Sequence, residues 1–174
     1  EVAESWFGCR LAARRPGPQD GTEYLRITAF AYPCFTFLPG EDKVLCAWVP
    51  IDDHSCWQYW LFYDHERDLD YDVLFDRLGL EIVDHQHRRT SMRKDGWPQD
   101  RKAMAAGHFS GIKGIAEEDC VIQESQGLIT DRSLEHLGSS DLGVTRMRRL
   151  MLRAIRASEE GEPPAARESS SRYR

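Results

Sequence analysis

The chain has 174 residues, a length that suits one domain with its own core. Hydrophobic residues make up 41% and charged residues 30%, and the formal net charge is −6. This balance argues against nucleic acid as the main partner, because phosphate binding needs a concentrated basic surface. No run approaches the ~18 apolar residues of a membrane span, and the N-terminal residues lack the pattern of a signal peptide. We therefore expect a globular protein that binds neither nucleic acid nor membrane.

The cysteines indicate a reducing compartment. There are five of them, an odd number, and they are widely spaced without a CxxC pair. This pattern argues against a disulfide framework and favours the cytoplasm. The simplest interpretation of Cys34, Cys46 and Cys56 is that they are small buried residues in strands.

Three aromatic-rich segments in the first half of the chain predict strands at residues 23–32, 43–51 and 57–65. Pro, Gly and Asp residues mark the turns between them. Strands that follow one another with short connections predict an antiparallel meander. The aromatic residues of the third segment alternate between its faces, so we expect a sheet covered on both sides; they are Trp57, Tyr59, Trp60, Phe62 and Tyr63.

Helical patterns dominate the second half. Helix formers, acidic first turns and glycine stops predict helices at 70–78, 100–106 and 117–126 and a short turn at 133–137. A long helix follows, capped by Ser139 or Ser140 and ending near residue 158. Its apolar residues recur at helical spacing on one face. Residues 159–174 carry no hydrophobic anchor and are expected to form a mobile tail.

Strands first and helices late predict an α+β domain over residues 1–158. The long C-terminal helix would pack its apolar face on the sheet. This order resembles the helix-grip fold of START and Bet v 1-like domains, in which a curved antiparallel sheet wraps a long helix around a cavity. Inward side chains of the strands would then line a binding pocket.

A series of short motifs extends over the second half of the chain. It comprises Asp100-Arg101, Phe109-Ser110-Gly111-Ile112, Glu118-Asp119, Glu124-Ser125-Gln126-Gly127, Asp131-Arg132, Glu135-His136-Leu137-Gly138, Ser140-Asp141 and Met147-Arg148-Arg149. In this order the motifs resemble the C-terminal part of the Rieske non-heme iron oxygenases, in the phthalate-dioxygenase-like branch. The segments Tyr24-Leu25-Arg26-Ile27-Thr28 and Val49-Pro50-Ile51-Asp52-Asp53 resemble the same branch, so the likeness covers most of residues 20–157.

The resemblance assigns a metal-binding role to Asp119. In the family, an aspartate at this position is the carboxylate ligand of a mononuclear Fe(II), which two histidines complete on one face. Asp119 lies near the start of a predicted helix, and Gln123, one turn later, could orient it. Spacing alone leaves a plainer interpretation open, because consecutive acids at a helix start also complement the helix dipole. For His85 and His87 the plainer interpretation, a solvated polar stretch rather than a metal site, is the one that we favour.

Two parts of the family pattern are absent. A Rieske [2Fe–2S] cluster takes two cysteines and two histidines, yet no cysteine here is followed by a histidine two or three residues later. The paired histidine ligands of the family, in a pattern like D-x-x-H-x-x-x-x-H, are missing too. We therefore expect this chain to be the C-terminal portion of a longer oxygenase subunit, whose cluster and iron-binding histidines lie on another segment.

The resemblance implies an oxidoreductase, a mono- or dioxygenase that uses Fe(II) and O2 to hydroxylate or demethylate an aromatic, often carboxylated, substrate. Electrons would come from a reductase or ferredoxin through the cluster, and the subunit would form a homotrimer in the cytoplasm. Two alternatives remain open at this point. One is a helix-grip module that binds a hydrophobic ligand without catalysis, and the other is a structural subunit whose partner chain brings the histidines.

Overall fold

The computed structural model describes residues 1–40, 43–80, 84–87, 99–163 and 166. The chain divides into two compact units. The first comprises Glu1–Glu66 and Glu135–Arg174, and the second comprises Arg67–Leu134. We call them the sheet unit and the helical unit and describe each by itself.

The sheet unit contains one antiparallel sheet of six strands, in which every strand pairs with its neighbour in sequence. The strands are β1 (Val2–Ser5), β2 (Gly8–Pro16), β3 (Glu23–Ala31), β4 (Phe35–Leu38), β5 (Lys43–Pro50) and β6 (Cys56–Tyr63). The predicted meander and the α+β, helix-grip-like class are confirmed. The three strands expected from composition correspond to β3, β5 and β6. The structure adds β1, β2 and β4, which the sequence analysis did not identify.

Because side chains alternate along a strand and directly paired residues share a face, the register assigns each residue to one of two faces. Glu4 is paired with Cys9, Leu11 with Thr28, and Cys46 with Trp60. These residues lie on the face that carries the C-terminal helix, which we call the helix-bearing face. The opposite side, with Leu25, Leu61 and their neighbours, is the outer face.

The C-terminal helix α4 (Leu142–Glu159) packs against β1 and β2. Leu150 is buried, and a Cβ added at Gly143 would lie only 2.9 Å from the side chain of Leu11, so the helix approaches the strand closely. Arg153 donates a 2.7 Å hydrogen bond to Glu4 on β1. The predicted contact between the long helix and the sheet is therefore present. The predicted cap by Ser139 or Ser140 was wrong: both serines lie within a 3-10 turn at Ser139–Asp141, and the N-cap position of α4 is Asp141, which makes no side-chain capping hydrogen bond.

The expectation that both faces of the sheet are covered was wrong. On the helix-bearing face, Val44, Cys46 and Phe62 are buried. On the outer face, Leu61 and Tyr59 remain 51% and 48% exposed. The alternation of aromatic residues in β6 therefore marks one packed side and one open side of the same strand. Cys46 is buried as expected, whereas Cys56 is exposed at the start of β6 and Cys34 lies between β3 and β4.

The helical unit contains α1 (Tyr71–Leu78), α2 (Arg101–Ala105), α3 (Ile115–Ser125) and a 3-10 turn at Arg132–Leu134. Asp70 caps α1 by accepting a hydrogen bond from the Val73 N–H, and Gly79 ends this helix in the left-handed conformation. The helices predicted here are confirmed, with α3 beginning two residues earlier than expected. No helix within the described residues is long and apolar enough to cross a membrane. Most of the predicted tail at 159–174 lies outside the described residues, and its mobility stays a prediction.

Candidate metal centre

Asp119 is the fifth residue of α3, in the helical unit. The helix starts after Gly114, which provides no side-chain cap, and its first turn contains Glu117 and Glu118. Negative side chains at this end complement the positive end of the helix dipole. Local sequence therefore favours a helix start at this point and places three consecutive acids in the first turn and a half.

A contact between two glycines positions the start of α3. Gly79 ends α1, and a Cβ added there would lie 2.6 Å from the Lys113 carbonyl oxygen. A Cβ at Gly114, whose φ is +81°, would lie 2.5 Å from the Leu78 carbonyl carbon. Only residues without a side chain permit this approach of two backbones. The end of α1 and the beginning of α3 are thus fixed against each other, one turn before Asp119.

The loop that precedes α3 is held by its own hydrogen bonds. The Asp100 N–H donates to the Gly111 carbonyl at 2.9 Å, while the Asp100 side chain caps α2. Ser110 Oγ accepts a hydrogen bond from the Ile112 N–H and donates one to the Glu118 carboxylate. Ser110 thereby connects this loop to the residue next to Asp119 and restrains the Glu118 carboxylate.

The environment of Asp119 raises its pKa. Partial burial is the main cause, because it disfavours the charged carboxylate, and the negative charge of Glu118 adds to the effect. Glu117, two residues earlier, is almost fully buried. A half-buried carboxylate beside another acid is stabilised when a cation approaches, since the cation offsets both desolvation and repulsion. The arrangement can therefore supply one anionic oxygen ligand to a metal ion.

The described residues leave Asp119 as a single candidate ligand. Gln123 lies one helical turn after it on α3, and its orienting role stays a prediction. Within the same residues, histidine, cysteine, aspartate and glutamate side chains form no group of three or more that could hold a metal ion. His85 lies in an exposed turn and His136 is exposed as well. The described residues thus provide one candidate ligand, and they do not provide the donor set of a [2Fe–2S] cluster.

The sequence analysis missed the residues that support Asp119. Ser110, Gly79 and Gly114 position α3 and its neighbouring acid without being ligands themselves. The spacing of Gly111 and Gly114, both at positive φ, was the available signal. This spacing indicated a sharply bent connection before the acidic turn. The contact of Gly114 with Gly79 is visible only in the tertiary structure.

Comparison with known proteins identifies the family to which this chain belongs. The family described as "LigXa C-terminal domain like" matches residues 1–171. The chain is 36% identical over 170 residues to the phthalate 4,5-dioxygenase oxygenase subunit of Pseudomonas putida, covering 93% of this chain and 39% of that protein. It is 28% identical over 193 residues to the 3-chlorobenzoate-3,4-dioxygenase oxygenase subunit of Comamonas testosteroni. This match covers 99% of this chain and 44% of that protein.

This chain therefore spans less than half the length of the curated relatives that it matches. Both relatives are oxygenase subunits of aromatic dioxygenases, which agrees with the branch that the motif series resembles. The match extends over both the sheet unit and the helical unit. The chain belongs to the LigXa C-terminal domain family and corresponds to a C-terminal portion of a Rieske-type oxygenase.

Proposed function

We propose that this chain is the C-terminal part of the catalytic domain of an oxygenase subunit that hydroxylates or demethylates an aromatic substrate. The observation that carries the proposal is the family match over 1–171 together with a half-buried carboxylate, Asp119, at the motif position of an iron ligand. Its two relatives act, by their names, on phthalate and on 3-chlorobenzoate. Both compounds are aromatic carboxylates, and we propose the same class for this protein.

In this proposal Asp119 provides the anionic ligand to Fe(II), and two histidines from another segment or chain complete the site. Bound iron would supply the activation of O2. The residues of this chain would hold the Asp119 carboxylate in place: the glycine contact fixes α3, and Ser110 restrains Glu118. The extra negative charge of Glu118 favours a divalent cation at this end of the helix.

The remaining partners follow from the same assignment. A [2Fe–2S] cluster needs cysteine and histidine ligands, so it belongs to a segment outside this chain and receives electrons from a reductase or ferredoxin. The homotrimer and the cytoplasmic location stay predictions. The names of both relatives support an oxygenase over a ligand-binding module without catalysis.

The experiment replaces Asp119 in the full-length subunit and measures bound iron. We expect Asp119→Ala to lower the iron content of the mononuclear site at least about tenfold, with loss of O2-dependent turnover of phthalate or 3-chlorobenzoate. Glu124→Ala is the matched control, since it removes an exposed acid from the same helix. Anomalous scattering at the iron edge should place the metal within ~2–2.5 Å of the Asp119 carboxylate. Unchanged iron content in Asp119→Ala would overturn the ligand assignment.

A further inference from the structure

One side of α3 carries two exposed isoleucines, and Asp119 lies between them in sequence. Ile115 is four residues before Asp119 and Ile122 is three residues after it, so helical spacing places all three on one side of the helix. The two isoleucines are 47% and 62% exposed. Ala116 and Glu117, on the other side of α3, are buried. Within the described part of the chain, α3 is therefore packed on one side only, and the apolar residues of its open side flank the candidate ligand.

Alignment distinguishes these isoleucines from ordinary surface residues. Single apolar side chains are common on protein surfaces, so exposure alone does not identify a docking site. Ile115 and Ile122 are two helical turns apart on the same side of α3, with a half-buried carboxylate next to both. The neighbouring Glu118 is already engaged by Ser110. The open side thus presents an apolar stripe with one carboxylate, Asp119, and we call Ile115 and Ile122 the isoleucine stripe.

The carboxylate of Asp119 limits what can cover the isoleucine stripe. A purely apolar partner would bury this negative charge without compensation, which is unfavourable. The occupant must therefore bring apolar side chains for the isoleucines and a cation for the carboxylate. In the proposed function that cation is Fe(II), which two histidines also bind. A segment that carries two imidazoles together with apolar residues meets both requirements.

Metal coordination determines how near such a segment comes to α3. Bonds from a metal to nitrogen and oxygen ligands are ~2.0–2.2 Å long. On a helix, Cβ atoms three or four residues apart are separated by only ~5–6 Å. Histidines that share a metal with Asp119 therefore bring their own backbone close to the turns before and after it. Ile115 and Ile122 occupy these two turns and are the side chains that this backbone would meet.

We propose that the isoleucine stripe is the docking surface for the histidine-bearing segment of the same oxygenase subunit. Within the described residues, metal-binding side chains form no group of three, and the chain spans less than half of its curated relatives. Packing on Ile115 and Ile122 sets the distance between the imidazoles and the Asp119 carboxylate, so both isoleucines are positioning residues. The inference rests on the proposed function for the identity of the occupant and adds the residues that hold it.

The first test measures Fe(II) affinity of the metal-depleted, full-length oxygenase subunit by anaerobic titration. We expect Ile122→Ala to raise the Kd for Fe(II) about tenfold, the lower end of what residues that support metal ligands contribute. Ile122→Val keeps the branched shape and should stay within about twofold of wild type. Val73→Ala is the matched control, because Val73 is 60% exposed on α1 of the same unit. This control should leave the Kd unchanged.

Hydrogen exchange provides a second readout that needs neither metal nor turnover. In the metal-free, full-length subunit, Ile122→Ala should accelerate amide exchange in α3 and in one further segment, the one that contains the two histidines. Val73→Ala should accelerate neither. Thermal unfolding of each variant shows that the fold is retained. Ile115→Ala repeats both measurements on the other residue of the stripe and serves if Ile122→Ala does not fold.

Three results would overturn the proposal. One is unchanged Fe(II) affinity together with unchanged exchange in Ile122→Ala. The second is a raised KM for phthalate with unchanged Fe(II) affinity, which would assign the stripe to the substrate. The third is an altered oligomeric state with unchanged Fe(II) affinity, which would assign it to a second copy of the chain.

Failure of the proposed function gives a different result from failure of the docking surface. If Asp119→Ala keeps its iron while Ile122→Ala still accelerates exchange in the histidine-bearing segment, the ligand assignment is wrong and the docking surface stands. If iron depends on Asp119 but neither readout responds to Ile122→Ala, the docking surface is wrong and the ligand assignment stands.

Discussion

The sheet unit and the helical unit are stabilised by different means. In the sheet unit, antiparallel pairing of strands that are neighbours in sequence and a helix packed on one face provide the order, and the buried residues are apolar. In the helical unit, short helices are held by side-chain caps, positive-φ glycines and hydrogen bonds within loops. The candidate metal ligand lies in the second kind of structure. A site of this type depends on a few local contacts, any one of which can be removed by a single substitution.

The largest expected effect on stability comes from comparing substitutions on the two faces of the sheet. Phe62→Ala on the helix-bearing face should lower the free energy of unfolding by about 3–4 kcal/mol, because it leaves a cavity beside buried residues. Its neighbour Leu61, on the outer face and 51% exposed, is the control. Leu61→Ala should cost about 1 kcal/mol or less. Urea denaturation measures both, and equal losses would show that the outer face is packed as well.

The glycine contact that positions α3 should give the next largest effect. Gly114→Ala forces a side chain into the backbone of Leu78 at positive φ, and we expect a loss of about 2–4 kcal/mol. Gly127 has φ +89° but no atom within 4 Å of an added Cβ. Gly127→Ala should therefore cost only about 1–2 kcal/mol for the backbone conformation. Similar losses in the two variants would mean that the close approach of α1 and α3 is unimportant.

Removal of a helix cap should have a smaller effect in the helical unit. The Asp100 side chain accepts hydrogen bonds from the Lys102 and Ala103 N–H groups, both at 2.9 Å. We expect Asp100→Ala to destabilise the protein by about 1 kcal/mol. Asp100→Asn retains a capping oxygen and should remain close to wild type. If Asn destabilises as much as Ala, the charge rather than the cap is what matters, and thermal unfolding in low and high salt separates the two.

The smallest effect concerns acid stability of the sheet unit. The hydrogen bond from Arg153, with the charges of Arg153 and Arg146, lowers the pKa of Glu4 below its ordinary value of 4.5. A lowered folded-state pKa adds stability above the unfolded value, and this contribution disappears as the pH falls through the folded-state pKa. Glu4→Gln should therefore lower Tm slightly at neutral pH and not at all in strong acid.

Glu23 provides the control for this pH dependence, because its pair with Arg14 is long and both side chains are exposed. We expect Glu23→Gln to leave the Tm unchanged at every pH. A difference between Glu4→Gln and wild type that persists in strong acid would contradict an electrostatic origin and point to packing of the Glu4 side chain instead.

Composition and periodicity were sufficient for the elements with strong local signals. β5 and β6 are rich in aromatic and β-branched residues, and α1 has an Asp cap and a Gly stop. β2 was missed because it contains alanines and arginines, which have weak strand propensity. It is a strand because β1 and β3 pair with it on both sides. Leu11 and Ala13 lie on one face with Arg10 and Arg14 on the other, and this period of two was a signal that propensity concealed.

For the candidate site, the sequence led to Asp119 as the proposed ligand, which stays a prediction, and it did not reveal the residues that position α3. Asp119 was chosen from the motif series, because short motifs in a fixed order can be recognised in a sequence without knowledge of packing. The contact of Gly79 with Gly114 joins residues far apart in the chain, and neither glycine is unusual by itself. The role of Gln123 stays a prediction, because helical spacing brings two side chains onto one face without deciding what each of them binds.

The order of the strands has a consequence for how the sheet unit folds. Each strand pairs with its sequence neighbour, so the sheet can grow from one hairpin to the next during synthesis. The contact of α4 with β1 is different, since Arg153 and Glu4 are separated by 149 residues. Closing so large a loop has an entropic cost that neighbouring strands avoid. Docking of α4 is therefore the late step, and a chain that ends before Leu142 would leave the helix-bearing face of β1 and β2 open to aggregation.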